Sequence, residues 1–147
     1  MHQGFTIKEI AEGYLTDSSQ LIITNINKAA LNVLFPDWLH LNMGLLLSEQ
    51  LLSVSIGMRR QSIVGITKDI IARTGSNQVI LHNMDMLFSP EFKLDVLKLL
   101  SSIGRGMKFI VLWHGKFEDG IITYAEPGYS DYQTYNLKDY DAYYITK

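Results

Sequence analysis

Lys28 stands where an apolar run gives way to a helical pattern. "LIIT" (21–24) is followed by Asn25-Ile26-Asn27, then the lysine, then "AALNVLF" with apolar residues at helical spacing. Strand, tight turn, lysine, helix is the outline of a phosphate-binding loop. In a loop of spacing GxxxxGK[ST], glycines let backbone N–H groups close around phosphate oxygens. The lysine neutralises those oxygens, and the hydroxyl holds magnesium. Here no glycine lies between Gly13 and Gly44, and Ala29 follows the lysine. The turn is too short to wrap a phosphate, although helix N-terminal N–H groups attract anions weakly. The residues favour a structural corner or a relic over a working nucleotide site at Asn27 and Lys28.

Two more strand ends carry chemistry-capable residues. In nucleoside triphosphatases an apolar strand ending in a carboxylate commonly positions magnesium. In "VILHNMDMLF" (79–88) that place is held by His82, and the first acid, Asp85, comes three residues later. Histidine suits zinc or proton transfer better than magnesium. His114 follows the apolar run "KFIVLW" (108–113) and could share a metal or a proton with His82 if the two strands are neighbours. A lone histidine at a strand end is more often structural. Arg59 and Arg60 open a helical pattern, and Arg73 and Arg105 sit near helix ends. Arginine at such places reaches a phosphate across a subunit boundary, but a solvated or dipole-facing charge is the favoured reading. Neither GxSxG nor HExxH occurs. With no cysteine, a disulfide framework, a cysteine nucleophile and cysteine-ligated zinc are excluded.

These residues must be positioned by a folded domain. The 147 residues are 47% hydrophobic and 19% charged, enough for one domain with a real core. A net charge of −2 gives no strong pull toward nucleic acid. "MHQGFTIKEI" lacks the layout of a signal peptide, and the apolar runs fall short of a bilayer span, so a cytoplasmic protein is expected. Strands are expected at 21–24, 38–42, 78–82, 108–113 and 120–125, with "AYYIT" (142–146) as a final candidate. Helices are expected over 6–15, with Thr6 and Glu9 as a capping box, and over 27–35, stopped by Pro36. Further helices are expected over 44–55 and 59–74. Another opens at Pro90 and carries a face of Phe92, Val96, Leu97, Leu99 and Leu100. Six of the eight tyrosines lie in residues 129–147, where aromatic packing at a sheet edge is favoured over a partner surface. Central strands that are apolar throughout, alternating with helices, predict a mainly parallel sheet in a three-layer α/β/α domain.

The stretch "VILHNMDMLFSPEFKLDVLKLLSSIGRGMKFIVLWHGKFEDGIITYAEPGYSDYQTY" resembles the small P-loop (AAA-type) proteins of type 3 BREX phage-defence systems, the BrxF family. Four features carry the resemblance: the strand running into "NMDMLF", the helix "FKLDVLKLL", the strand "FIVLWHG" and, most specific, "TYAEPGYSDYQTY". "LHLNMGLLLSEQLL" looks like the family's second strand and following helix, so the likeness spans about residues 15 to 136. It implies a P-loop NTPase-like core and a role in discriminating phage DNA. The implied partners are a larger BREX ATPase, a methyltransferase and a phosphatase-like protein, with self-association or DNA contact compatible. Members carry an intact phosphate loop, which this chain lacks: Lys28 alone could stand for its lysine, and His82 replaces the strand-end Asp. Asp85 stands where an acid of the family's segment sits. The implied role is therefore an accessory, non-hydrolysing subunit without a cofactor. The alternatives are a weak or composite ATPase, binding ATP and magnesium through Lys28 and Asp85 with an arginine from a neighbour, and a stand-alone metal-binding domain using His82 and His114.

Overall fold

The computed structural model describes residues 4–6, 21–103 and 107–146. Six strands form one parallel sheet: β1 (Gly4–Thr6), β2 (Leu21–Thr24), β3 (Leu39–Asn42), β4 (Gln78–His82), β5 (Lys108–Leu112) and β9 (Ala142–Thr146). Their spatial order is β1-β9-β2-β5-β4-β3, and every pairing is parallel. A separate antiparallel sheet holds β6 (Phe117–Glu118), β7 (Ile121–Tyr124) and β8 (Gln133–Asn136). The helices are α1 (Lys28–Leu34), α2 (Met43–Leu51), α3 (Arg59–Ala72) and α4 (Val96–Ile103).

Buried residues alternate between the two faces of the sheet, as the two-residue period of a strand requires. Ile22, Ile80, Ile110 and Ile145 face α1, meeting its Leu31 and the flanking Phe35 and Trp38. Leu21, Ile23, Val79, Leu81, Phe109, Val111 and Tyr144 face the other way, toward α2, α3, α4 and the small sheet. The chain moves from β2 to the far strand β3 through α1, then returns to β4 and β5 through the opposite layer. Opposite directions of travel on opposite faces are what a single crossover hand demands.

The strands expected at 21–24, 78–82 and 108–113 stand as core strands, and "AYYIT" completes the sheet beside β2. Three expectations are met only in part. "GIITYA" does not join the parallel sheet: β7 pairs antiparallel with β6 and β8. Its exposed Ile121 and buried Ile122 show one wetted face, unlike the strands covered on both sides. The helix from Pro90 is broken. Pro90–Phe92 is a single 3-10 turn ended by Lys93 at φ 48, and α4 begins at Val96. Asp95 restarts it, its Oδ1 accepting the Lys98 N–H at 3.1 Å. The periodicity was intact because Phe92 enters the core from the turn itself. The tyrosine tail divides: Tyr135 on β8, at the edge of the small sheet, packs against Phe88, Trp113 and Tyr140 as expected, whereas β9 lies inside the main sheet with its Tyr144 buried. Of the helix expected over 6–15, Thr6 belongs to β1 and the rest lies outside the described residues.

The small sheet is fastened by aromatic contacts. Trp113 Nε1 donates to the Thr123 carbonyl at 2.7 Å. Gly115 makes this approach feasible: a Cβ there would lie 1.5 Å from the Thr123 oxygen. The Asp85 carboxylate accepts the Tyr124 hydroxyl at 2.9 Å, and the Asp95 carboxylate accepts that of Tyr140 at 2.7 Å. Burial first, and then the adjacent carboxylate, raise both phenols, that of Tyr140 to about 12, so both remain donors at neutral pH.

Candidate functional site

All six strands of the main sheet point the same way, so β2, β3, β4 and β5 end along one edge. In open α/β sheets ligands bind beyond that carboxyl edge. It carries Asn27 and Lys28 after β2, Asn42 at the end of β3, and His82, Asn83 and Asp85 at and after β4.

The β2–α1 corner is closed by its own groups. Thr24 is fully buried; its hydroxyl donates to the Ile145 carbonyl at 2.8 Å and accepts the Ile26 N–H at 3.1 Å. Ile26 plugs into the core at 1% exposure. Asn27 caps α1, its Oδ1 accepting the Ala30 N–H at 2.8 Å. Three residues between strand and helix therefore leave no loop to ring a phosphate, and two of the N–H groups are already taken. Lys28 is exposed at the start of the helix and forms no ion pair among the described residues.

Lys28 and His82 do converge, and a residue unforeseen as functional joins them. His40 on β3 pairs in register with Ile80, two residues before the pairing of Asn42 with His82. It thus occupies the α1 face of the sheet, diagonal to His82. The two rings meet edge to face, with centroids 6.3 Å apart. Both ring nitrogens of His40 are shielded from solvent and lack a hydrogen-bond partner among the described residues. Burial, followed by the positive charge of Lys28, lowers both imidazoles below the ordinary 6.5, and His40 lowers His82 further. A histidine alternating with Leu39 and Leu41 gives no sequence signal of its own; pairing of β3 with β4, 40 residues apart in the chain, creates the contact.

Asp85 sits apart from this group. Its carboxylate belongs to Tyr124, and it lines an open depression of about 570 Å³ with Asn42, Gly44, Ser48 and Asn83. Asn83, at φ 56, donates from Nδ2 to Asn42 Oδ1 at 3.0 Å, and the same oxygen accepts the Leu45 N–H that starts α2. Of the arginines, Arg59 donates from Nε to the Val54 carbonyl at 3.2 Å, which ties down the connection between α2 and α3. Arg60 is exposed. Arg73 pairs with Asp69 at 2.7 Å on the surface, where such a pair contributes little. Arg105 lies outside the described residues. His114 is exposed, and His82 takes His40 as its ring neighbour. No cluster of three metal-ligating side chains occurs among the described residues. No helix among them is long and apolar enough to cross a membrane.

Comparison with protein-family models, with curated proteins and with solved structures finds no match. The chemistry of this edge therefore stands on its geometry alone.

The histidine pair sets an expected pH dependence. A folded-state pKa below the unfolded 6.5 means that the unfolded chain binds more protons as pH falls. Stability is then fully present above about pH 6.5 and declines as pH falls from there toward the folded values. Urea midpoints taken between about pH 7.5 and 5 should fall on acidification, and the fall should shrink in a His40→Gln variant. An unchanged slope in that variant would show that His40 is not a source of the linkage.

Proposed function

We infer that the chain is an accessory, non-hydrolysing P-loop-like (AAA-type) subunit of a BREX-type anti-phage complex, cytoplasmic and working through protein partners. The observation that carries the non-hydrolysing part is the closed β2–α1 corner. Its Thr24 and Asn27 side chains occupy N–H groups that a phosphate would need, and buried Ile26 fills the turn. The sheet order supports a P-loop-like core. Counting β2, β3, β4, β5 and β9 as first to fifth, it reads 5-1-4-3-2, unlike either common doubly-wound order. The fourth strand is inserted between the first and the third, within the parallel sheet that the resemblance implies.

Support for an interaction role comes from the segment that carries the resemblance most specifically. Glu126, Pro127, Gly128 and Tyr129 form an exposed turn after β7, with Ala125 at φ 63, Gly128 at φ 95 and Tyr129 68% exposed. A second exposed apolar set, Leu45, Leu52, Ile56 and Met58, runs along α2 and the turn after it. Exposed apolar groups of this kind suit a partner surface.

The test has two arms. The purified chain should show no magnesium-dependent ATP hydrolysis, and Lys28→Ala should change nothing. Co-expression with the larger ATPase of such a system should recover a complex that Tyr129→Ser together with Leu52→Ser weakens. Magnesium-dependent turnover abolished by Lys28→Ala or Asp85→Asn would replace this reading with the composite ATPase. Failure to associate with any subunit of the system would remove the defence assignment.

A further inference from the structure

Lys28, His40 and His82 share the carboxyl edge, and among the described residues no carboxylate acts on the two imidazoles. The Lys28 charge acts on both imidazoles, and His40 acts on His82. Lys28 itself forms no ion pair among the described residues. His40 keeps both ring nitrogens shielded and without a partner among the described residues, an arrangement that disfavours the unbound state.

We propose that Lys28, His40 and His82 form a site for a tetrahedral oxyanion, such as inorganic phosphate or the phosphate end of a nucleotide, and that filling it loads protons onto the histidine pair. Lys28 and partly exposed His82 meet the anion from the solvent side. His40, in contact with the His82 ring, supplies the second imidazole behind it. Sign of charge decides the ligand class. Two imidazoles can ligate zinc, but a cation entering here meets the Lys28 ammonium, and no carboxylate among the described residues acts on the two rings to offset it. An anion finds the opposite: it is attracted by Lys28, and it offsets the Lys28 charge that, after burial, lowers both rings. This is a different device from a phosphate loop. It uses side chains from α1, β3 and β4, leaves the closed corner untouched and needs no magnesium. It does not rest on the defence assignment.

Sulfate is the cleanest probe, because its charge does not change across the range in which histidine titrates. The ring pKa values of His40 and His82, read by NMR, should both rise when sulfate is added to the unmodified protein, while His114 stays put. Sulfate should bind roughly tenfold or more tightly at about pH 6 than at about pH 8. Lys28→Ala should abolish binding, and His82→Gln should flatten the pH dependence, with unchanged circular dichroism as the folding control. Inorganic phosphate and ATP, both without magnesium, form the remaining arms. Much tighter ATP binding identifies a nucleotide, and equal affinity a free oxyanion. The proposal is overturned if sulfate leaves both histidine pKa values in place, if Lys28→Ala binds as well as the parent, or if zinc perturbs the two rings and sulfate does not. Magnesium-dependent ATP turnover would sink the scaffold reading and leave this site standing; histidines blind to sulfate would do the reverse.

Discussion

Phe88→Ala should cost about 3–5 kcal/mol, the range for emptying a buried aromatic position. Phe88 is 1% exposed, in the 3-10 turn Asp85–Phe88 that follows β4. Its ring stacks on Tyr124 with centroids 3.9 Å apart and meets Trp113 edge to face at 5.1 Å. Tyr135 approaches edge to face at 6.4 Å. These partners come from the end of β5 and from two strands of the small sheet, so one ring joins three parts of the fold. Its loss leaves a cavity among residues whose hydrogen bonds, Trp113 to Thr123 and Tyr124 to Asp85, hold them in place and restrict collapse. Such a loss is a large share of a typical domain's 5–15 kcal/mol. Urea unfolding should show the lowered midpoint, and the near-ultraviolet circular dichroism of the native state should weaken as the aromatic cluster loosens. Phe88→Leu should retain more than half of the lost stability. A cost below about 1 kcal/mol for the alanine variant would mean that the small sheet is not anchored through this ring.

Thr24→Val should cost about 2–4 kcal/mol, although the two side chains are nearly the same size. The hydroxyl serves two buried backbone groups at once, the carbonyl of Ile145 and the N–H of Ile26. A methyl group leaves both unsatisfied, at about 1–3 kcal/mol for each buried group. The change also reaches two elements distant in sequence, because Ile145 belongs to β9 and Ile26 to the corner before α1. Hydrogen exchange should therefore accelerate at β9 and at the start of α1 together. Thr24→Ser keeps the hydroxyl and should restore most of the loss. A valine variant as stable as the parent would show that water reaches these groups, and that the corner is not closed as described.

The corner also marks how far the sequence could be read. The outline of strand, turn, lysine and helix was visible in "LIITNINKAAL", and so was the lack of glycine. The Ile26 N–H bonds Thr24 Oγ1 within a local two-residue turn, but burying that hydroxyl against the Ile145 carbonyl depends on β9 arriving beside β2, which local residues do not encode. Asp85 shows the same limit. Placed by sequence with Lys28, it is instead paired with Tyr124 of the small sheet, a partner 39 residues away.

The sequence by itself determined the element types over most of the chain. Apolar runs covered on both faces specify parallel strands, and helical spacing specified α2 and α3. These are local signals, because side-chain periodicity follows from backbone geometry within a single element. Tertiary structure decided the rest: which strands become neighbours, where the tail inserts, and which charges meet. Parity along β3 could put His40 on a face, but only the pairing of β3 with β4 places it against His82, and only the α1 crossover brings Lys28 over both. The contact exists because backbone hydrogen bonds set the strand register, and register is a relation between segments that neither segment contains.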